Sequence, residues 1–345
     1  MKICVLAGGL CPERDVSLSS GCMIANALLS RGHHAALLDL YCGAPDADDF
    51  DGFYKKYGKA SYEFKVPEHE PDLDAVRREN GGRAGLVGPN VTEICRTADA
   101  VFLALHGSAG EDGRLQAMFD MYGVTYTGTG YTGSLLAMDK LVSKELMRFA
   151  GILTPDWAVV PADSAAVPES VGLPCVMKPV GCGSSVGVSI IETADQWGAA
   201  LEYAKKYEDA VFAEKKIAGR EFSVGVLAGE ALPAIEIIPK YGGFYDYKNK
   251  YQPGLMTEVC PADISGELEA QLAGCALAVH GALRLGSYSR IDFILGEDGL
   301  IYCLEANTLP GMTPTSLLPQ EAAAAGIDFG ELCERVVREA AFGRI

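Results

Sequence analysis

Arg290-Ile291-Asp292-Phe293-Ile294-Leu295-Gly296-Glu297-Asp298-Gly299-Leu300-Ile301-Tyr302-Cys303-Leu304-Glu305-Ala306-Asn307 is a pair of alternating apolar and polar runs around a Glu-Asp turn flanked by glycine. That is the pattern of a tight antiparallel hairpin. If Gly296 and Gly299 close the turn, Asp292 lies opposite Cys303, with Glu305 as its diagonal neighbour, and period two puts Asn307 on the same face. Arg290 joins them from its own strand, while Ile291, Phe293 and Leu304 take the other face. Three oxygen-bearing side chains without His or Cys are the ligand set of a hard cation such as Mg²⁺ and not of zinc. A solvated polar face holding one salt bridge is the alternative.

Upstream of the hairpin the patterns form an α+β module. Strands are expected at 175–180, 188–192, 211–215, 221–227 and 232–238, with helices over 194–206 and 267–285. Helices at 319–325 and 329–340 close the chain. The first third instead alternates strand (2–7), helix (17–29), strand (35–40) and, later, strand (100–105), which predicts a parallel sheet with crossover helices. Helices are expected over 115–122 and 134–150. Between 43 and 97 lie nineteen charged residues in fifty-five, with scattered Gly and Pro; this predicts a surface-rich insertion rather than core.

The composition bounds the function. A chain of 345 residues has room for two or three domains at roughly 150 residues each. With 49% apolar and 22% charged residues it is globular,. Its net charge of −17 repels a nucleic-acid backbone or an anionic membrane, so an anionic ligand must be met by a few placed cations. Eleven cysteines without a C-x-x-C pair suit reduced thiols better than a disulfide framework or a zinc knuckle. Residues 121–138 are uncharged, but half of them are Gly, Thr or Ser, a composition that argues against a membrane span. A cytoplasmic protein, with no membrane and no nucleic-acid partner, is expected.

Several motifs carry chemistry. Gly128-Thr129-Gly130-Tyr131-Thr132-Gly133 matches a dinucleotide fingerprint, yet it does not open the chain's first strand and lacks the following acid in the right place; a Gly-rich turn or domain junction is the alternative. Gly183-Ser184-Ser185-Val186-Gly187 matches the hydrolase elbow, with Ser185 as nucleophile and His280 as partner. It lies between two strands rather than strand and helix. A loop whose backbone N–H groups cover a phosphate, with Lys178 on the strand before it, competes with that reading and with an exposed loop of no function. No P-loop is present. Pro12-Glu13-Arg14-Asp15-Val16-Ser17 and His106-Gly107 with Gly110-Glu111-Asp112-Gly113 both follow strands at the end where open parallel sheets bind ligands.

With these residues assembled, the chain resembles the D-alanine–D-alanine ligases of the ATP-grasp superfamily. The match extends through Met138-Asp139-Lys140, the 178–187 loop, Phe244-Tyr245-Asp246-Tyr247-Lys248-Asn249-Lys250-Tyr251, Cys260-Pro261-Ala262 and Leu304-Glu305-Ala306-Asn307-Thr308-Leu309-Pro310-Gly311-Met312-Thr313. The resemblance implies an α/β protein of ATP-grasp architecture. It would have an N-terminal parallel α/β domain (1–127), a central subdomain with the Gly-rich loop (128–214) and a C-terminal subdomain with the metal site and a mobile loop (215–345).

It further implies ATP-dependent joining of two D-alanines through a D-alanyl phosphate, for peptidoglycan precursors, by a cytoplasmic homodimer. Asp292, Glu305 and Asn307 would hold two Mg²⁺, with Mn²⁺ as a substitute. Lys140, Lys178 and, on loop closure, Lys250 would contact the phosphates. Glu214, Lys215 and Ile217 would receive adenine largely through backbone, and Glu221 the ribose. Glu13 would face the first ammonium beside Val16 and His106. Arg290 and the Gly311 N–H would stabilise the oxyanion, and Ser316 and Leu317 would receive the second D-alanine. Ser184, Tyr251 and Glu13 would bridge the two loops. A D-alanyl-D-serine or D-alanyl-D-lactate ligase is the near alternative, and the serine hydrolase the distant one.

Overall fold

The computed structural model describes residues 1–67, 69–183, 186–239 and 256–342. Ser184, Lys250 and Tyr251, and the Ser185 of the hydrolase alternative, lie outside the described residues.

The N-terminal layer is the parallel sheet expected, β1 (Lys2–Ala7), β2 (His34–Asp39) and β3 (Ala100–Leu103) in the order β2-β1-β3. Ile3, Cys4, Val5, Leu6 and Ala7 are all buried, which a parallel strand achieves only when both its faces are covered. Helix α1 (Arg14–Ser30) packs on β1 and β2. The stretch 43–97 forms α2 (Phe50–Tyr57), α3 (Leu73–Glu79) and α4 (Val91–Thr97). Most of the stretch is exposed, as expected, and α3 buries no residue, but Phe50, Phe53, Tyr62, Val91 and Ile94 enter the core beneath β2. Charge density misses these anchors, because a helix buries one stripe whatever its other faces carry.

Next come α5 (Ser108–Glu111), α6 (Arg114–Tyr122), α7 (Tyr131–Met138) and α8 (Lys140–Phe149). The single helix expected over 134–150 is divided at Asp139. Its carboxylate accepts the N–H groups of Leu141 and Val142, each at 3.0 Å, a new N-cap inside an unbroken apolar pattern.

The central sheet is antiparallel, β4 (Trp157–Val160), β5 (Cys175–Pro179), β6 (Ser189–Ile191) and β7 (Val211–Lys215) in the order β4-β7-β5-β6. One face is covered by α9 (Trp197–Lys205), which buries Trp197, Ala200, Leu201 and Ala204. The last sheet comprises β8 (Gly219–Leu227), β9 (Glu230–Ala231), β10 (Ile235–Pro239), β11 (Met256–Val259), β12 (Tyr288–Gly296) and β13 (Ile301–Asn307). Its order is β11-β10-β8-β12-β13, all antiparallel, with β9 beside β8.

Strand alternation divides the two faces of β8. Phe222, Val224 and Val226 face α10 (Gly266–Ala282) in one core, while Gly225 and Leu227 meet α11 (Leu317–Ala324). Helix α12 (Phe329–Phe342) returns to pack on α1 and β3. No helix among the described residues is long and apolar enough to cross a membrane.

The hairpin pairing differs from the expected register. Gly296 N–H bonds Leu300 O at 2.8 Å, making the turn one residue longer, and a β-bulge between Asp292 and Phe293 leaves Leu304 unpaired. Asp292 therefore pairs directly with Glu305, and Phe293 with Cys303. Leu304 does not join Ile291 and Phe293 on the core face but lines a cavity beside Ile294. A bulge inserts one extra residue and re-aims its strand. Here it brings Glu305 across from Asp292.

Candidate active site

The ends of β1 and β2 and the segment following β3 are tied to the start of α1. Gly8 has φ +73° and sits where a Cβ would collide with the Asp39 carboxylate. Arg14 forms an ion pair with Asp39 at 2.5 Å and donates to Gly9 O at 2.6 Å. Ser17 Oγ accepts Gly8 N–H (2.8 Å) and donates to Ala104 O (2.6 Å). This fixes Glu13, the N-cap residue of α1, whose side chain is not spent on capping. It lines a cavity of about 1110 Å³ together with Val16 and His106.

His106 is buried, and its Nε2 has no hydrogen-bond partner among the described residues. Burial lowers its pKa, with Glu13 opposing and Arg290 assisting, so the ring is neutral at pH 7. Glu111, on the same wall, accepts Gly107 N–H at 2.8 Å. Burial and then the Glu13 charge push its carboxyl up to about 8.

The cavity's opposite wall comes from the last sheet and the segment after it. Arg290, Gly311, Ser316 and Leu317 line it. Gly311 approaches Ser316 so closely that a Cβ would lie 2.8 Å from Ser316 Oγ. That hydroxyl also accepts Thr313 N–H at 3.1 Å.

Along β12, alternate residues carry the polar centre. Asp292 is gripped by both arms of Arg290, at 2.9 and 2.8 Å. It also accepts Ser223 Oγ at 2.9 Å and Asn307 Nδ2 at 3.1 Å. Glu305 faces it across the ladder and lies 3.7 Å from Lys140 Nζ. Among the described residues no group of three His, Cys, Asp or Glu is arranged to hold a metal. What the hairpin offers is two carboxylates on one rung and an amide two rungs along, an all-oxygen donor set that suits Mg²⁺.

A second cavity, about 340 Å³, opens between the central and last sheets. Val176, Ile190, Ile294 and Leu304 give it apolar walls, and Lys215, Ile217 and Glu221 stand on its rim. Lys178 reaches in from β5 and forms an ion pair with Glu214. The Glu214 side chain, 2% exposed, is turned inward between Lys178 and Lys144, the latter at 2.7 Å. Those two cations hold its carboxyl below the usual range against the opposing effect of burial. Lys140 donates to Cys182 O at 2.6 Å, tying α8 to the Gly-rich loop. Lys140 and Glu305 line both cavities.

Sequence reasoning had not singled out Lys144, Glu321 or the segment around 66–71 as parts of the site. Glu321, on α11, is fully buried against Gly225, and burial pushes its carboxyl up to about 8. Val66, Pro67, His69, Glu70 and Pro71 line the larger cavity. The available signals were slight: a Lys one turn after Lys140, and a lone acid in an alanine-rich helix. The 128–133 run is a packing junction. Gly128 N–H bonds Ser287 Oγ at 2.9 Å, and a Cβ on Gly133 would strike Arg284 O and Leu283 O. His280 bonds Ser289 Oγ at 2.8 Å.

Comparison with known proteins gives one answer. Residues 2–129 match the family profile "D-ala D-ala ligase N-terminus" and residues 144–338 "D-ala D-ala ligase C-terminus". The D-alanine–D-alanine ligase of Pediococcus pentosaceus is 42% identical over 344 residues, covering 98% of this chain and 97% of the relative. That of Nitratidesulfovibrio vulgaris is 40% identical over 338 residues, with the same two coverages. The crystal structure of the D-alanine–D-alanine ligase from Bacillus anthracis complexed with ATP aligns with a TM-score of 0.73 at 28% identity, covering 99% of this chain and 97% of that one. The parallel first sheet, the two antiparallel sheets with a cavity between them and both profiles in order agree: the chain belongs to the D-alanine–D-alanine ligase family and is an ATP-dependent ligase of ATP-grasp fold.

Proposed function

We propose that the protein joins two D-alanines to D-alanyl-D-alanine through a D-alanyl phosphate, in the cytoplasm, supplying peptidoglycan precursors, and works as a homodimer. The observation that carries this reading is that Lys140 and Glu305 line both the apolar-walled cavity and the larger one. A phosphoryl group held there borders a carboxylate bound on the other side.

The smaller cavity takes ATP, with adenine against Lys215, Lys216 and Ile217, the ribose at Glu221, and Lys140, Lys178 and Lys250 on the phosphates. Asp292, Glu305 and Asn307 hold Mg²⁺, which when bound neutralises phosphate charge as the γ-phosphoryl group transfers. In the larger cavity Glu13 receives the ammonium of the first D-alanine, with Val16 and neutral His106 beside it. The first carboxylate oxygen attacks the γ-phosphorus and ADP leaves. The uncharged amine of the second D-alanine, placed by Ser316 and Leu317, adds to the acyl carbon; Arg290 and the Gly311 N–H receive the developing oxyanion, and inorganic phosphate departs with its bridging oxygen and the proton that the nitrogen gives up.

Arg290 is already fixed by its fork on Asp292, which is the preorganisation such a donor needs. Ser184, Tyr251 and Glu13 form the bridge that excludes water, since an acyl phosphate hydrolyses where water stays. The domains divide at 1–127, 128–214 and 215–345.

The test is phosphate release from ATP and Mg²⁺ with D-alanine, D-serine or D-lactate as second substrate. D-alanine alone should drive release with dipeptide in equal amount. Release that needs D-serine or D-lactate would replace the assignment, and no ATP turnover with any of them would refute it.

A further inference from the structure

Lys144 is 1% exposed, an unusual place for an ammonium. It stands one turn after Lys140 on α8, behind the wall of the smaller cavity rather than on it. Its Nζ is 2.7 Å from Glu214 Oε2 and 2.6 Å from Thr154 Oγ1, and it donates to Pro155 O at 3.4 Å. The same group lies 5.4 Å from the centre of the Trp157 ring, over which Arg148 also sits at 4.1 Å. The other oxygen of Glu214 holds Lys178. Two cations thus share one carboxylate in a place almost closed to water.

A buried charge persists only when compensated, and this triad carries one positive charge too many. The wall of the smaller cavity carries five carboxylates and five cations among the described residues. The wall is neutral, and Lys144 stands behind it on Glu214 as a further cation, as Arg290 does on Asp292.

We propose that Lys144 is a positioning residue of the nucleotide cavity, neutralising Glu214 from behind so that the charge of Lys178 remains available to an anionic ligand. Without Lys144, Glu214 would take Lys178 as its sole counter-ion, and the polyphosphate would meet a neutral pair. Burial lowers the Lys144 pKa while Glu214 raises it. The inference rests on the reading of the smaller cavity as the ATP site.

The test is equilibrium binding of ADP and of adenosine to the wild-type protein, K144M, K144R and K144M/E214Q. For K144M, ADP binding should weaken by about tenfold, the factor that corresponds to ~1.4 kcal/mol, and adenosine by less than twofold. K144R should keep ADP within about threefold of wild type. K144M/E214Q, which removes both members of the buried pair, should recover ADP binding to within about threefold. Equal losses of ADP and adenosine in K144M would mean a structural role only and overturn the proposal. So would a double variant no better than K144M. If K144M does not fold, the double variant decides alone: near-wild-type ADP binding supports the proposal and a tenfold loss overturns it. Wild-type protein that binds neither ligand would instead sink the ATP reading of the cavity.

Discussion

The two cavities solve opposite electrostatic problems in a chain of net charge −17. The smaller is built on sheet: Lys178, Glu214, Glu221 and Asp292 project from β5, β7, β8 and β12, whose ladders fix them. Its wall carries five carboxylates and five cations among the described residues, with Lys144 behind Glu214 and Arg290 on Asp292 as further cations. The larger is built on loops at strand ends and gathers carboxyls instead. Glu13 and Glu111 share a wall, and burial together with the Glu13 charge lifts Glu111 while burial lowers the His106 pKa. The charge-balanced side, with Lys140, Lys178 and Lys144 gathered at it, suits a polyphosphate and the acid-rich side an ammonium. Buried charge can be arranged to select a ligand by sign against the field of the whole molecule.

That contrast breaks first at Glu305, which both cavities share. Glu305→Gln should lower kcat by about 100-fold or more, the scale of losing one electrostatic stabiliser of the transition state, while ATP affinity changes far less. A Mg²⁺ titration of phosphate release checks it; wild-type turnover at limiting Mg²⁺ would contradict the metal role. Glu13→Gln should act on one side only. It removes one charged hydrogen-bond acceptor, worth about 1.5–3 kcal/mol, so the KM for the first D-alanine should rise roughly 10–100-fold. The KM for ATP should not move, and equal changes in both would erase the division of labour.

How far the sequence revealed these two sides follows the same division. Sheet positions were legible wherever period two held, so Lys178, Glu221, Asp292, Glu305 and Asn307 were found by alternation or motif. The pairing partner was not, because a one-residue bulge at Leu304 leaves no mark in an apolar–polar pattern. Glu214 was placed at the nucleotide site by the resemblance, but its pairing with Lys144 was opaque for a different reason. A lysine in an amphipathic helix and a glutamate at a strand end both look solvated until the fold puts them against each other. The rim around 66–71 was hidden by the charge of its neighbours, which describes the outer face of α2 and the exposed α3 and not the Phe50 and Phe53 stripe that anchors α2.

A pH series sharpens the acid-rich side. Glu111 ionises near 8 in the folded protein against roughly 4.3 when free. Between those values the folded state holds a proton that the unfolded state has lost, so stability is greatest at the acid end and falls as pH rises through that window. Wild-type Tm should therefore decline from about pH 5 to about pH 8, and Glu111→Gln should decline less. Glu321, pushed up in the same way, accounts for a share that Glu111→Gln leaves in place. A Glu111→Gln profile parallel to wild type would mean that the carboxyl is ionised throughout.

The smallest effect expected is at Ser17, which touches no cavity and tests whether loops need pins where sheets do not. Its hydroxyl accepts Gly8 N–H and donates to Ala104 O with nothing exposed to water. Ser17→Ala leaves both backbone groups unpaired at a cost of about 1–3 kcal/mol, which for a chain of this size lowers Tm by only several degrees. The informative part is kinetic. Glu13 lies one helical turn before Ser17, so a loosened α1 start should raise the KM for the first D-alanine by about threefold, well under 1 kcal/mol. Lys178 and Glu214 are held by ladders that Ser17 does not touch, so the KM for ATP should stay constant. An equal rise in both would show that the strand-end loops and the two antiparallel sheets move as one body.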